Sequence, residues 1–118
     1  MTRGVRGATT VTSDDKKQIL EATKELLTDM ISQNSINTED LASAFFSMSP
    51  DLHSEFPAVA AREIGWVDVP LFCMQELEIN GSLKNCIRVL LHWNTDKKNS
   101  EIKHSYLREA TKLRPDIS

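Results

Sequence analysis

From Cys86 to Trp93 the chain reads "CIRVLLHW", a run with apolar residues on both of its alternating faces and one arginine, Arg88, among them. A strand of this kind must be covered on both sides by other parts of the molecule. Arg88 adds a second condition. A guanidinium cannot shed its proton, so burying it is costly unless an anion or a set of acceptors meets it.

What can supply the cover is limited by length. The chain has 118 residues, room for one compact domain with one core, and we expect a single domain over residues 1–118. In "RGVRGATTV", residues 3–11, Val5, Ala8 and Val11 stand among Gly and Thr, which predicts a strand. From Ser13 to Gln33, apolar residues recur at Ile19, Leu20, Leu26, Leu27, Met30 and Ile31. That spacing predicts an amphipathic helix with Thr12 or Ser13 as N-cap, Asp14 and Asp15 in its first turn and Asn34 at its end. "LASAFFSM", residues 41–48, alternates with a period of two, placing Ala42, Ala44, Phe46 and Met48 on one face and Ser43 and Ser47 on the other.

Pro57 suits the first position of a short helix ending near Ile64, with Gly65 just past its last turn. "WVDVPLFCMQELEI" then precedes "NGS", a turn signal, and the run around Arg88, so these two segments are expected to pair as a hairpin. The stretch from Glu101 to Ser118 fits either a helix, through Ile102, Tyr106, Ala110 and Leu113, or a turn followed by a strand. The result is an α+β domain: a mixed β-sheet with one long helix and one short helix. One long helix covers only one face of such a sheet. The other face is expected to be covered by a further copy of the chain in a symmetric oligomer.

Composition removes several function classes. Hydrophobic residues make up 40% and charged residues 26%, values of a folded globular protein. With a formal net charge of −3 there is no global positive field to draw the chain onto nucleic acid or an anionic membrane. No apolar run approaches the roughly 18 residues a membrane helix needs, and no secretory apolar core opens the chain, so we expect a cytoplasmic protein. Cys73 and Cys86 are too few for a disulfide framework, and His53, His92 and His104 lack ligand spacing, so no metal is expected. A hydrolase would need a nucleophile, base and orienter in recognisable arrangement, and none is present.

The charged residues within apolar surroundings remain. In the expected hairpin Glu76 faces Arg88, either as a cross-strand salt bridge that sets register or as part of a cleft shared with Cys73. Arg6 lies between Gly4 and Gly7, whose small size would let a ligand approach the backbone, or it is a solvated edge-strand residue. Arg62 fits an exposed position on the short helix. Tyr106 and Arg114 are each candidates to anchor the last segment.

Four separated blocks, "RGVRGATTV", "SPDLHSEFPAVAARE", "VPLFCMQELEINGSLKNCIRV" and "LRPDIS", resemble the AroH class of monofunctional chorismate mutases, in that order and at nearly that spacing, from about Thr2 to the last residue. The resemblance implies a homotrimer forming a pseudo-α/β-barrel assembly, with active sites in clefts between subunits. It also implies the Claisen rearrangement of chorismate to prephenate, at the branch leading to phenylalanine and tyrosine, without metal, nucleotide or organic cofactor. By the same resemblance Arg88 is the cation aimed at the ether oxygen, Glu76 accepts the ring hydroxyl, Arg6 and Tyr106 hold the carboxylate of the enolpyruvyl side, and Cys73 hydrogen-bonds near the hydroxyl. Phe56, Ala58, Leu71 and Phe72 correspond to the pocket wall, and Arg62, Leu113 and Arg114 to residues that help close it.

Three departures accompany the likeness. Val59 stands where the family often has lysine, which removes one cation near the ring carboxylate and is expected to lower substrate affinity. The loop before Trp66 is one residue shorter. The sequence stops with "LRPDIS", so a tail covering the bound substrate is expected to be largely missing. A binding or regulatory trimer that has lost catalysis is the alternative on the same scaffold. Retention of Arg6, Cys73, Glu76, Arg88 and Tyr106 together favours the enzyme.

Overall fold

A computed structural model of the chain describes residues 1–113. Five strands form one mixed sheet: β1 (Thr2–Thr10), β2 (Leu41–Met48), β3 (Leu71–Gln75), β4 (Cys86–Asn94) and β5 (Ser105–Tyr106), in the order β3-β2-β4-β1-β5. The run around Arg88 takes the centre. As β4 it pairs antiparallel with β1 on one side and β2 on the other; the core covers its Ile87, Val89 and Leu91 face, while the Arg88, Leu90 and His92 face stays partly open within the described residues. The outer pairs, β2 with β3 and β1 with β5, are parallel.

The expected hairpin is therefore a misreading. Asn80 and Gly81 do turn, with Gly81 at a φ of 81° and Ser82 N–H bonded to Ile79 O, but the chain then passes β2 before entering the sheet. The strand apolar on both faces occupies the interior, and the shorter β3, preceded by Pro70, goes to the edge where an unpaired strand side is tolerated.

Helix α1 (Lys16–Asn34) crosses from β1 to β2, and α2 (Ala58–Glu63) from β2 to β3. The N-cap of α1 is Asp15, whose carboxylate accepts the Gln18 amide at 3.0 Å, so the helix starts later than Thr12 or Ser13 would place it. Asp14 is used elsewhere, accepting the amides of His53 and Ser54. Helix α2 closes as expected, with Gly65 at a φ of 96°; its amide bonds Arg62 O while Trp66 N–H bonds Ala61 O. That pairing satisfies the last carbonyls of the helix. Among the described residues no helix is long and apolar enough to cross a membrane.

Both helices lie against the same sheet face, linked by Lys24 and Glu63 at 2.6 Å. There Leu26, Leu27 and Met30 meet Val5, Phe46, Val89 and Leu91 in the main core. Close approach requires Gly7, since a Cβ added there would stand 2.5 Å from Met30 Sδ. Its smallness thus serves helix packing on one face of β1, while on the other face Gly7 lines the cleft beside Arg6. The expected face of Ala42 is corrected. A bulge between Leu41 and Ser43 leaves Ala42 exposed while Ala44 and Phe46 stay buried, because one extra residue shifts the alternation.

The last described segment is a turn followed by strand β5 and a short 3₁₀ helix over Arg108–Lys112. The buried side chain of Asn34 fixes it at both groups of one peptide position, accepting from Lys103 N–H at 2.9 Å and donating to Lys103 O at 2.8 Å. Tyr106 then folds over one end of the open sheet face with Ala8, Cys86 and Ala110.

Candidate active site

The sheet face away from the helices carries a cleft of about 500 Å³, lined by Arg6, Phe45, Ser47, Glu76, Arg88, His92, Tyr106 and Leu113, among others. Arg6 comes from β1, Phe45 and Ser47 from β2, Arg88 and His92 from β4 and Tyr106 from β5, each turned to this face by the alternation of its strand. Arg88, Leu90 and His92 are the outward residues of β4, while Ile87, Val89 and Leu91 are buried against the core. Glu76 follows β3, tied to the sheet by its own amide bonded to Met48 O at 2.8 Å.

Glu76 and Arg88 meet although their strands are not neighbours, because both reach over β2. Glu76 Oε2 stands 3.5 Å from Arg88 Nε, with the side chains about a third exposed. That contact is an ion pair without a hydrogen bond: Arg88 Nε makes none among the described residues. A pair built to fix register would close to about 2.7–2.9 Å. Glu76 Oε2 instead accepts from Ser47 Oγ at 3.1 Å, and Glu76 Oε1 from the Leu77 amide at 3.3 Å.

Among the described residues, four buried polar side-chain atoms lack a hydrogen-bond partner, and two of them, Arg88 Nε and Tyr106 Oη, line this cleft. Such groups are rare in folded proteins and call for an explanation. A ligand with acceptor oxygens is one. The cleft can hold an anion between Arg6 and Arg88 while Glu76 accepts from a hydroxyl, and the walls of Phe45, Met74 and Leu90 keep it largely apolar.

Not every expected site residue is here. Leu71 and Cys73 alternate to the helix side of β3 and pack against the main core, so Cys73 does not share a cleft with Glu76 and Arg88 within one chain. Cys73 lines a smaller hollow of about 280 Å³ with Phe56, Pro57 and Met48; burial pushes its thiol above the usual range, and it stays protonated. Phe56 is 66% exposed at this hollow and Phe72 61% exposed on the open face, in edge contact with Phe45. Ala58 and Val59 are half-buried on α2, with Ala58 against the core. Arg62 donates to Trp66 O and Val67 O at 2.8 and 2.9 Å, tying down the loop after α2. Arg114 lies outside the described residues.

Cleft residues that went unrecognised in the sequence include Phe45, Ser47, Met74, Leu90 and His92. The alternation of β2 did separate Ser47 from the core face, which was the available signal. His92, paired with Ser43 Oγ at 3.0 Å and packed edge-on to Phe45, had no such mark.

Comparison with known proteins places this geometry in context. The family model described as chorismate mutase type I matches residues 2–117. The chain is 48% identical over 119 residues to the chorismate mutase AroH of Bacillus subtilis (strain 168), covering all of this chain and 94% of that one. It is 49% identical over 118 residues to the chorismate mutase AroH of Thermus thermophilus, covering 99% and 97%. A solved chorismate mutase from Clostridium thermocellum superposes with a TM-score of 0.92 at 43% identity, covering 94% of this chain and 99% of that one.

Proposed function

Because the chain belongs to the chorismate mutase type I family, we propose that its open cleft is where chorismate binds and rearranges to prephenate. The chain is a chorismate mutase, an isomerase. Its reaction is a concerted Claisen rearrangement in which the ether C–O bond breaks as a C–C bond forms, with no proton gained or lost. The observation that carries the assignment of the site is the pair of buried, unpartnered donors, Arg88 Nε and Tyr106 Oη, in one cleft.

Chorismate brings two carboxylates and an ether oxygen that gains negative charge as its bond breaks. Arg88 is aimed at that oxygen, and a fixed donor in a water-poor site is worth ~3–4 kcal/mol in the transition state. Arg6 and Tyr106 hold the carboxylate of the enolpyruvyl side, and Glu76 accepts the ring hydroxyl. Holding the reactive conformer supplies the rest of the acceleration through orientation. Protonated Cys73 can donate a hydrogen bond but is no nucleophile. Val59 leaves the ring carboxylate with one cation fewer, which lowers affinity without removing catalysis.

The homotrimer, with its sites between subunits, belongs to the proposal too. Phe56, Ala58, Val59, Leu71 and Cys73 lie around α2 and the helix side of β3, whereas Arg6, Glu76, Arg88 and Tyr106 lie on the open face. One site that uses both sets needs two chains, with the second set brought by a neighbour. Exposed Phe72 and Met74 on that face supply apolar area for the contact. Two free cysteines fit a reducing cytoplasm.

Purified protein mixed with chorismate tests the function. Loss of the substrate's ultraviolet absorbance, with prephenate identified by NMR, is the expected result. Chorismate bound but unchanged by an intact trimer would instead favour a binding protein on this scaffold.

A further inference from the structure

Ser47 stands between the two charged groups of the cleft. Its β2 position pairs with Arg88 on β4 and with Met74 on β3, so Glu76, two residues beyond Met74, must reach over β2 to approach Arg88. The Ser47 hydroxyl donates to Glu76 Oε2 at 3.1 Å, the same oxygen that faces Arg88 Nε at 3.5 Å. The other carboxylate oxygen accepts the Leu77 amide. Both oxygens of Glu76 therefore have donors other than Arg88.

We propose that Ser47 is a positioning residue that keeps the Glu76–Arg88 pair open. A carboxylate and a guanidinium left alone at this distance close into a short, charge-assisted hydrogen bond. Closure would spend the Arg88 donor on Glu76 and weaken its aim at the breaking ether bond. By occupying Oε2 from the β2 side, the Ser47 hydroxyl holds the carboxylate where it can accept the ring hydroxyl and leaves Arg88 Nε–H for the substrate. This inference rests on the proposed site and deepens it.

The test compares Ser47→Ala and Ser47→Thr with wild type, using chorismate as substrate and Arg88→Ala as a control. Ser47→Ala is expected to lower kcat about tenfold while KM changes less than about twofold, since the lost aim acts mainly in the transition state. Ser47→Thr, which keeps a hydroxyl on a β-branched residue suited to a strand, restores most of kcat. In Ser47→Ala the Arg88 Nε–H proton resonance moves downfield as the pair closes. A kcat within about twofold of wild type in the alanine variant overturns the proposal. Equal losses in both variants, with KM rising in step, do the same, because they indicate general damage to the sheet. The control separates the two levels. Full activity in Arg88→Ala would bring down the site itself, whereas an inactive control beside a fully active Ser47→Ala removes only the role of Ser47.

Discussion

Arg88→Lys is expected to lower kcat for chorismate by about a hundredfold to a thousandfold despite the retained charge. The loss follows from geometry. Lysine is a flexible, strongly hydrated point charge, whereas the guanidinium is a planar fork whose donors are fixed relative to one another. The backbone of β4 cannot shift to compensate, because Arg88 is locked between Ala8 of β1 and Ser47 of β2 in the middle of the sheet. An ammonium group at this position also lacks a counterpart of Nε–H, the donor that no group among the described residues uses. Steady-state kinetics on a folded variant, with circular dichroism to confirm the fold, would measure the effect. Turnover within about tenfold of wild type would contradict the role assigned to Arg88.

Mixing two inactive variants is expected to restore activity that neither has alone. Arg88→Ala removes from the cleft the cation aimed at the ether oxygen, and Phe56→Asp places a carboxylate beside a dianionic substrate at the other residue set. Phe56 is 66% exposed, so the change falls on the surface of the free chain and spares the core. If each site takes the cleft from one subunit and the α2 side from its neighbour, random co-assembly leaves about a quarter of the sites with both sets intact. Refolding the variants together, then assaying against each refolded alone, reads this directly. Activity that stays at the level of the separate variants would place each site within one chain.

The sequence revealed the parts of the fold whose patterns are local. The helical spacing from Ile19 to Ile31, the alternation of Ala44 and Phe46, and Pro57 with Gly65 around α2 each depend on near neighbours, and each element formed. Strand pairing is not local. The turn at Asn80 and Gly81 suggested a hairpin, but β4 pairs with β1 and β2, segments far from it in sequence. The bulge at Ala42 and the packing that demands Gly7 likewise depend on contacts with distant segments.

The candidate site was legible in the same uneven way. Arg88 stood out because a guanidinium in an apolar run has few explanations, and Glu76 could be matched to it. Arg6 and Tyr106 were placed by family resemblance, since the pattern alone left Arg6 between a ligand contact and a solvated edge-strand residue, and Tyr106 as an anchor of the last segment. Ser47 could be assigned to a strand face but not to a partner, because its meeting with Glu76 depends on β3 lying beside β2. Cys73 was expected beside Glu76, and strand alternation sends its side chain the other way.

The pH dependence of kcat tests most directly the claim that this cleft works by electrostatics and conformer selection alone. No proton moves in the rearrangement, and burial keeps the Cys73 thiol protonated beyond its ordinary range. We therefore expect kcat at saturating chorismate to be nearly flat from about pH 6 to 9. A bell-shaped profile centred near neutrality would contradict the account, because it would require an acid and a base to act in the rate-limiting step.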